Sequence, residues 1–488
     1  METLNVQLVL PVVVLVVYAL MGLLCAPFHR SLGRWFLPGV IALPGLVLAG
    51  AFTVRCWRMW SAQGPMLTAG GLVRVDGFGL FFSFLLLIVA ALTVLGSPRF
   101  LEREEADHGE FYPLVLLSVA GMIVMLQTTH LLMVLVGLEA FSLSLYVLTG
   151  LTRQRARSVE SALKYFLLGA FSSGFLVYGM ALLYGAAGSL DMAAIGETAA
   201  TRPSAMLWLG MGLVLIGLAF KVAVVPFHHW VPDVYQGAPT NVAGFMAAAT
   251  KTAAFAAILR FLVGAFAGQE QVWVPLVTVL SILTMTVANL VALAQTNIKR
   301  LLAFSSVSHA GYLLIAVVSG PRDGVRAVLF YLAAYVFMTL GAFAVAAAVG
   351  RGDARSESGY DLDAWSGLGW RRPLLGIAMS LFLFSLAGIP PTGGFLAKYV
   401  IFQAAVRSDN WLLAVVGVLN AVVGACYYLR VVVAMWMKET EKGEEPFPLP
   451  VPAAMAVVMV LSSAGVLYLG LAPGRILDLV QSLAESIL

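Results

Sequence analysis

Long apolar runs follow one another along nearly the whole chain, parted by short polar stretches. A helix needs about 20 consecutive apolar residues to cross the hydrocarbon layer of a bilayer. Runs of that kind fall at about 3–25, 36–57, 76–96, 112–128, 131–150, 159–186, 206–227, 240–266, 272–294, 299–319, 325–349, 373–407, 411–437 and 450–472. They predict an all-α polytopic membrane protein of about fourteen transmembrane helices. Only Thr129 and His130 separate the fourth run from the fifth, which leaves a count of thirteen open. The polar stretches Ser97 to Glu110, Gly350 to Arg372 and Lys438 to Pro450 are each too short to enclose a core.

Two runs carry their own breakers. The seventh leads into Val225-Pro226-Phe227-His228-His229-Trp230-Val231-Pro232-Asp233, and the twelfth contains Gly388-Ile389-Pro390-Pro391-Thr392-Gly393-Gly394. Proline removes a backbone donor and clashes with the preceding turn, and glycine adds backbone freedom. A single break reads as a kink or a helix end. Two breaks five spans apart predict two five-helix repeats, over spans 4–8 and 9–13, with helices 7 and 12 discontinuous. Five is odd, so the second copy enters the membrane inverted. That arrangement marks transporters with an ion path near the midplane. The expected organisation is residues 1–110 for helices 1–3, 111–266 for the first repeat, 267–437 for the second, and 438–488 for a loop and helix 14.

Composition agrees with a lipid solvent. Apolar residues make up 61% of the 488, charged residues 11%, and the mean hydropathy is +0.93. The formal charge of +4 includes no basic run that suggests nucleic acid. Cys25, Cys56 and Cys426 lie far apart with no C-x-x-C spacing, which argues against iron–sulfur or zinc ligation. The first run continues too far to be a cleavable signal and reads as the first anchor. More loop Lys and Arg lie opposite the termini than beside them, among them Arg153, Arg155, Arg157, Lys299, Arg300, Arg371 and Arg372. By the positive-inside rule both termini are expected outside.

The informative residues are charges inside these runs. Glu139 lies mid-span five, Lys221 just before the first break, Lys251 mid-span eight and Lys398 just after the second break. Each costs about 3 kcal/mol on insertion scales, so the four together cost about 10 kcal/mol. They must be paired, hydrated or partly neutral. Desolvation disfavours a charged lysine and a nearby carboxylate favours it, so a lysine between the two can exchange a proton. A static Glu139–Lys221 salt bridge is the bland alternative, and Lys251 and Lys398 have no obvious partner in their own spans. Lys164 reads as half of an i,i+4 pair with Glu160, and Arg260 and Arg430 as snorkelling residues near span ends. Among the histidines, His29 and His108 fall in loops, His130 at an interface, His228 and His229 at the first break, and His309 inside span ten beside Ser305, Ser306 and Ser308. Imidazole relays protons near neutrality, although a purely structural histidine is equally open at each site.

Several stretches together resemble a known family. They are Gly137-Leu138-Glu139, Glu160 through Ala170, Phe220-Lys221 through Pro226, Pro232 and Thr240, Lys251, Asn297 through Ser306, and Gly388 through Lys398, spanning about 110 to 410. The chain resembles the antiporter-like subunits of respiratory complex I, the proton-pumping NADH:quinone oxidoreductase. Lys398, where the M type carries glutamate, favours the N type, and the end soon after span fourteen disfavours the L type. The resemblance implies proton translocation driven by NADH-to-quinone electron transfer in other subunits, with each five-helix repeat, 111–266 and 267–437, forming a proton half-channel. Glu139 and Lys221 would be the modulating pair, Lys251 the central carrier and Lys398 the terminal lysine, with His309 and His228 near the same axis and Pro226, Pro232, Pro390 and Pro391 at the helix breaks. No cofactor is expected in this chain, FMN and iron–sulfur clusters being expected in partner subunits. The implied partners are a sister M-type subunit, the small K-, J- and A-type subunits and the lipid bilayer, in a bacterial inner membrane. A Mrp-type cation/proton antiporter subunit, a membrane-bound hydrogenase subunit, the M-type sister subunit and a purely structural membrane subunit are the rival readings.

Overall fold

The computed structural model describes residues 5–26, 36–103, 109–350, 358–439 and 450–486. His29, His108 and residues 440–449 of the polar stretch that begins at Lys438 lie outside the described residues. The helices in chain order are α1 (Val6–Cys25), α2 (Phe36–Gln63), α3 (Gly77–Gly96), α4 (Pro98–Arg103), α5 (Phe111–Leu126), α6 (Leu131–Thr149), α7 (Ala156–Ala187), α8 (Met192–Thr201), α9 (Ala205–Val222) and α10 (Trp230–Gly237). They continue as α11 (Thr240–Leu259), α12 (Glu270–Leu293), α13 (Ile298–Val318), α14 (Val325–Val349), α15 (Leu368–Arg371), α16 (Pro373–Ala387), α17 (Gly393–Arg407), α18 (Trp411–Met437), α19 (Ala453–Leu471) and α20 (Gly474–Ser486). Twelve helices among the described residues are long and apolar enough to cross a membrane, and α5 and α16 are shorter apolar helices. The chain is a multi-pass integral membrane protein, all-α in its membrane part as expected, with the fourth and fifth runs forming separate helices, α5 and α6.

The two breaks fall where the sequence places them. α9 stops at Val222, Ala223 takes a left-handed conformation (φ 63°), and the chain resumes as α10 at Trp230. α16 stops at Ala387, Gly388 takes the same conformation (φ 88°), and α17 starts at Gly393. Each break contains one cis prolyl bond, Val225–Pro226 and Pro390–Pro391. The series α5, α6, α7, α9–α10, α11 and the series α12, α13, α14, α16–α17, α18 therefore each interrupt their fourth member. α5 packs on α6 as α12 packs on α13. Polar side chains close the helix starts: Asn297 accepts from the Lys299 and Arg300 N–H groups at 3.0 and 3.3 Å, and Thr392 from Phe395 N–H at 3.4 Å. α11 and α13 are buried throughout their membrane-length stretches and form the centre, whereas α1, α7 and α19 are largely exposed walls.

Three features depart from the sequence reading. A two-stranded antiparallel hairpin, β1 (Met66–Thr68) with β2 (Val73–Val75), precedes α3. The tail beyond the fourteenth run forms a further helix, α20, that the sequence reading did not include. Its Val480, Leu483 and Ala484 are buried while Arg475, Asp478 and Ser482 face outward, an amphipathic spacing. Arg260 does not snorkel. It is 4% exposed, and its Nη1 and Nη2 donate to Asp76 Oδ2 and Oδ1 at 2.9 and 2.7 Å. Asp76 sits just before α3 and also accepts from Gly79 N–H at 2.8 Å. Burial alone would raise the Asp76 carboxyl, but the facing Arg260 guanidinium, the Gly79 N–H and Arg74 reverse that and hold it below the usual carboxylate range. Arg430 instead reaches the carbonyls of Leu293, at 2.6 Å, and Gln295 at the end of α12.

Candidate functional site

The first break positions Lys221. Ending α9 at Val222 leaves carbonyl groups without their usual helical donors. Val224 N–H donates to Ala219 O at 2.9 Å and the Trp230 indole to Phe220 O at 3.0 Å, so the break is closed from within. Lys221, 2% exposed, is carried in the last turn of α9. Its Nζ donates to Ser142 Oγ at 2.9 Å. Four rings surround the amine, with centroids of Phe141, Tyr146, Tyr165 and Phe220 at 5.6, 5.5, 5.4 and 5.7 Å. Aromatic faces at that range attract a cation. Glu139, one turn before Ser142 on α6, is half-buried and accepts from Ser173 Oγ of α7. No Lys, Arg or His nitrogen lies within ion-pair distance of Glu139 among the described residues. Lys221 of α9 is thus tied to α6 one turn from Glu139, but the two are not joined in a salt bridge.

The second group lies between α11, α13, α14, α17 and α18. Lys251, 2% exposed, donates to the main-chain carbonyl of Ser306. The Tyr335 ring stands 5.8 Å from its Nζ, and the Tyr335 hydroxyl donates to Ser306 Oγ at 3.0 Å. His309 is gripped on both ring nitrogens, Nδ1 by the Tyr331 hydroxyl and Nε2 by the Tyr428 hydroxyl at 3.2 Å. Tyr428 also meets Ser305 Oγ. Lys398, 6% exposed, donates to Ala387 O at 2.9 Å, and its Nζ stands 4.9 Å from the Tyr312 ring centre. The second break thus exposes a carbonyl at the end of α16, and a lysine rather than an indole occupies it. Here too, among the described residues, no carboxylate lies within ion-pair distance of either lysine.

His228 belongs to the joint between the two groups. It is buried, its ring is 6.5 Å from Phe304 of α13, and its Nδ1 has no protein partner. Val225 N–H donates to Thr284 Oγ1 of α12 at 3.1 Å, a second tie across the joint. Lys164 pairs with Glu160 at 2.6 Å, as its spacing suggests, and also with Asp233 at 2.9 Å. Arg300 meets Asp233 from the other side at 2.8 Å. A polar cavity of about 210 Å³ opens among Glu160, Ser161, Lys164, Asp233, Gln236 and Arg300. Among the described residues no cluster of three His, Cys, Asp or Glu is close enough to hold a metal ion. Sequence reasoning missed Ser142, Ser173 and the tyrosines around His309. They are common residue types inside apolar runs, and only the packing assembles them.

Known proteins place these features in a lineage. The NADH:quinone oxidoreductase/Mrp antiporter transmembrane family matches residues 128–424, which contain both breaks and all three lysines. The chain is 43% identical to NADH-quinone oxidoreductase subunit N of Trichlorobacter lovleyi, over 100% of this chain and 98% of that protein. It is 38% identical to a chain of respiratory complex I from Thermus thermophilus, with a TM-score of 0.79 over 96% of this chain and 98% of that one. A chain of the Mrp complex from Dietzia has the same fold, with a TM-score of 0.83 over 99% and 98% of the two chains at 23% identity. The chain belongs to the NADH:quinone oxidoreductase/Mrp antiporter family, and within it to the subunit N branch.

Proposed function

We propose that this chain moves protons across the membrane as a driven subunit of NADH:quinone oxidoreductase. One observation carries the reading: three lysines buried at membrane depth, Lys221, Lys251 and Lys398, have hydroxyls, carbonyls and aromatic faces around them in place of carboxylates. A structural lysine in a low-dielectric interior needs an anion to hold its charge. Hydroxyl and carbonyl acceptors stabilise the cation only in part, so each amine can accept and release a proton. On this reading Glu139 and Ser142 set how well Lys221 holds its proton. Neighbouring subunits alter that balance, and a proton passes by way of His228 to Lys251. His309 and its tyrosines connect Lys251 with Lys398, from which the proton leaves. At an effective dielectric near 20, a contact ion pair is worth about 4 kcal/mol, against about 1.4 kcal/mol for a tenfold change in proton affinity. A modest movement of Glu139 toward or away from Lys221 is therefore a sufficient drive.

Electron transfer, with FMN and iron–sulfur clusters, is assigned to partner subunits. The partners proposed are an M-type sister and the small K-, J- and A-type subunits, in a bacterial inner membrane with both termini outside. The experiment is Lys251→Ala in the assembled complex, in sealed vesicles, with proton uptake and quinone reduction followed separately. Loss of uptake at retained quinone reduction is expected. Wild-type uptake in the assembled variant would end the assignment.

A further inference from the structure

We propose that the buried Asp76–Arg260 ion pair is a positioning clamp that fixes the height and rotation of the helix carrying Lys251. The inference rests on the role given to Lys251 above. α11 has an unusual surface for a central helix. Ala247, Ala248, Ala249, Ala253, Ala254, Ala256 and Ala257 surround Lys251, and all are buried. Packed helices resist sliding and turning because ridges of side chains sit in grooves of the neighbour. Alanine ridges are shallow, so this helix has little interlock along its middle. Thr250 and Thr252 bond back to Met246 and Ala248 of the same helix and add none.

The restraint lies at the ends. At the start, Thr240 donates to the Tyr360 hydroxyl and Asn241 to Ser97 Oγ, both at 2.8 Å and both neutral. At the far end Arg260 opens a π-helical turn, Arg260–Ala265. A π-turn changes the angular position of the residues after it and often marks a functional site. The Arg260 side chain then ties three elements. Its two terminal nitrogens hold both oxygens of Asp76 before α3, its Nε donates to Leu126 O at the end of α5 at 2.9 Å, and its guanidinium lies 4.9 Å from the Phe78 ring centre. Arg74 of β2 adds a contact to Asp76 Oδ2 at 3.1 Å. Gly79 leaves the room: a Cβ there would stand 3.1 Å from Nη2. Lys251 lies nine residues before Arg260, about 14 Å along the axis. Turning or sliding α11 at the clamp therefore moves the Lys251 amine against the Ser306 carbonyl.

The test uses the assembled complex in sealed vesicles, reading protons taken up per quinone reduced. Asp76→Asn removes the charge and keeps the shape. Arg260→Lys keeps the charge and loses the two-pronged grip. Gly79→Ala keeps both charges and pushes on Nη2. We expect the ratio to fall about twofold or more in the first two variants and less in the third, at retained quinone reduction. Asp76→Glu should recover part of what Asp76→Asn loses. A pair that only stabilises the fold would change the amount of complex and leave the ratio untouched, so wild-type ratios in these variants would overturn the clamp. If the charge variants fail to assemble, Gly79→Ala decides alone: a lowered ratio supports the clamp and a wild-type ratio overturns it. Lys251→Ala in the same preparation separates the two claims. Wild-type pumping by Lys251→Ala defeats the role of Lys251 itself, whereas a silent Lys251→Ala beside fully pumping clamp variants defeats only the clamp.

Discussion

The two broken helices share a sequence logic and differ in what closes them. At the first, a tryptophan indole donates to Phe220 O, leaving Lys221 to a serine hydroxyl and four aromatic rings. At the second, Lys398 itself donates to Ala387 O. Lys251 likewise donates to a main-chain carbonyl, that of Ser306. A serine hydroxyl turns with a side-chain rotation, and a carboxylate stands close by on the same helix. A main-chain carbonyl moves only if its helix moves. The first site is thus built to be adjusted and the second to be stationary, which suits an input and a carrier on the proposed reading.

That difference can be broken by substitution. The largest expected effect is at Lys221. Lys221→Ala should lower proton uptake about tenfold or more at retained quinone reduction, because the input loses its titratable group. Equal uptake in assembled complex would make Lys221 a structural residue. Ser142→Ala should lower uptake by a smaller factor, roughly two to five, since one neutral hydrogen bond is worth about 1 kcal/mol. An unchanged rate would show that the hydroxyl does not tune Lys221.

Stability should separate the breaks as well. Trp230→Phe keeps the stacking on Tyr165 and Phe220 but strips a donor from Phe220 O, and should cost about 1–2 kcal/mol in thermal unfolding in detergent. No loss would mean that Val224 and Ala223 close that end unaided. The smallest effect concerns Asp76. Its folded carboxyl is held below the ordinary value, so its contribution is present above about pH 4 and is lost as pH falls through the depressed folded value. Below about pH 4 the melting temperature of the wild-type complex should therefore fall more steeply than that of Asp76→Asn. Parallel slopes would contradict the pairing.

Much of this is legible in the sequence because membranes impose severe rules. Twenty-residue apolar runs, prolines at matched places and lysines inside apolar segments each have few physical explanations. Other parts are hidden for equally physical reasons. Arg260 sits near a span end and reads as a snorkelling side chain, because its partner Asp76 lies 184 positions away in sequence. Glu139 and Lys221 suggest a salt bridge because both need a partner, whereas Ser173 and Ser142 supply it separately. The tyrosines about His309 come from α14 and α18 and carry no local signature. The α20 helix does carry one, in the spacing of Ile476, Val480 and Leu483, which a search for membrane-length runs passes over.

Lys251 either exchanges a proton or merely holds a charge. Lys251→Arg distinguishes the two, because arginine keeps a positive charge in the same place and does not release its proton in a protein. The measurement is proton uptake per quinone reduced by the assembled Lys251→Arg complex in sealed vesicles, beside Lys251→Ala. Arginine should fail as alanine does. Wild-type uptake with arginine in place would show that a fixed charge suffices, and would contradict proton exchange at Lys251.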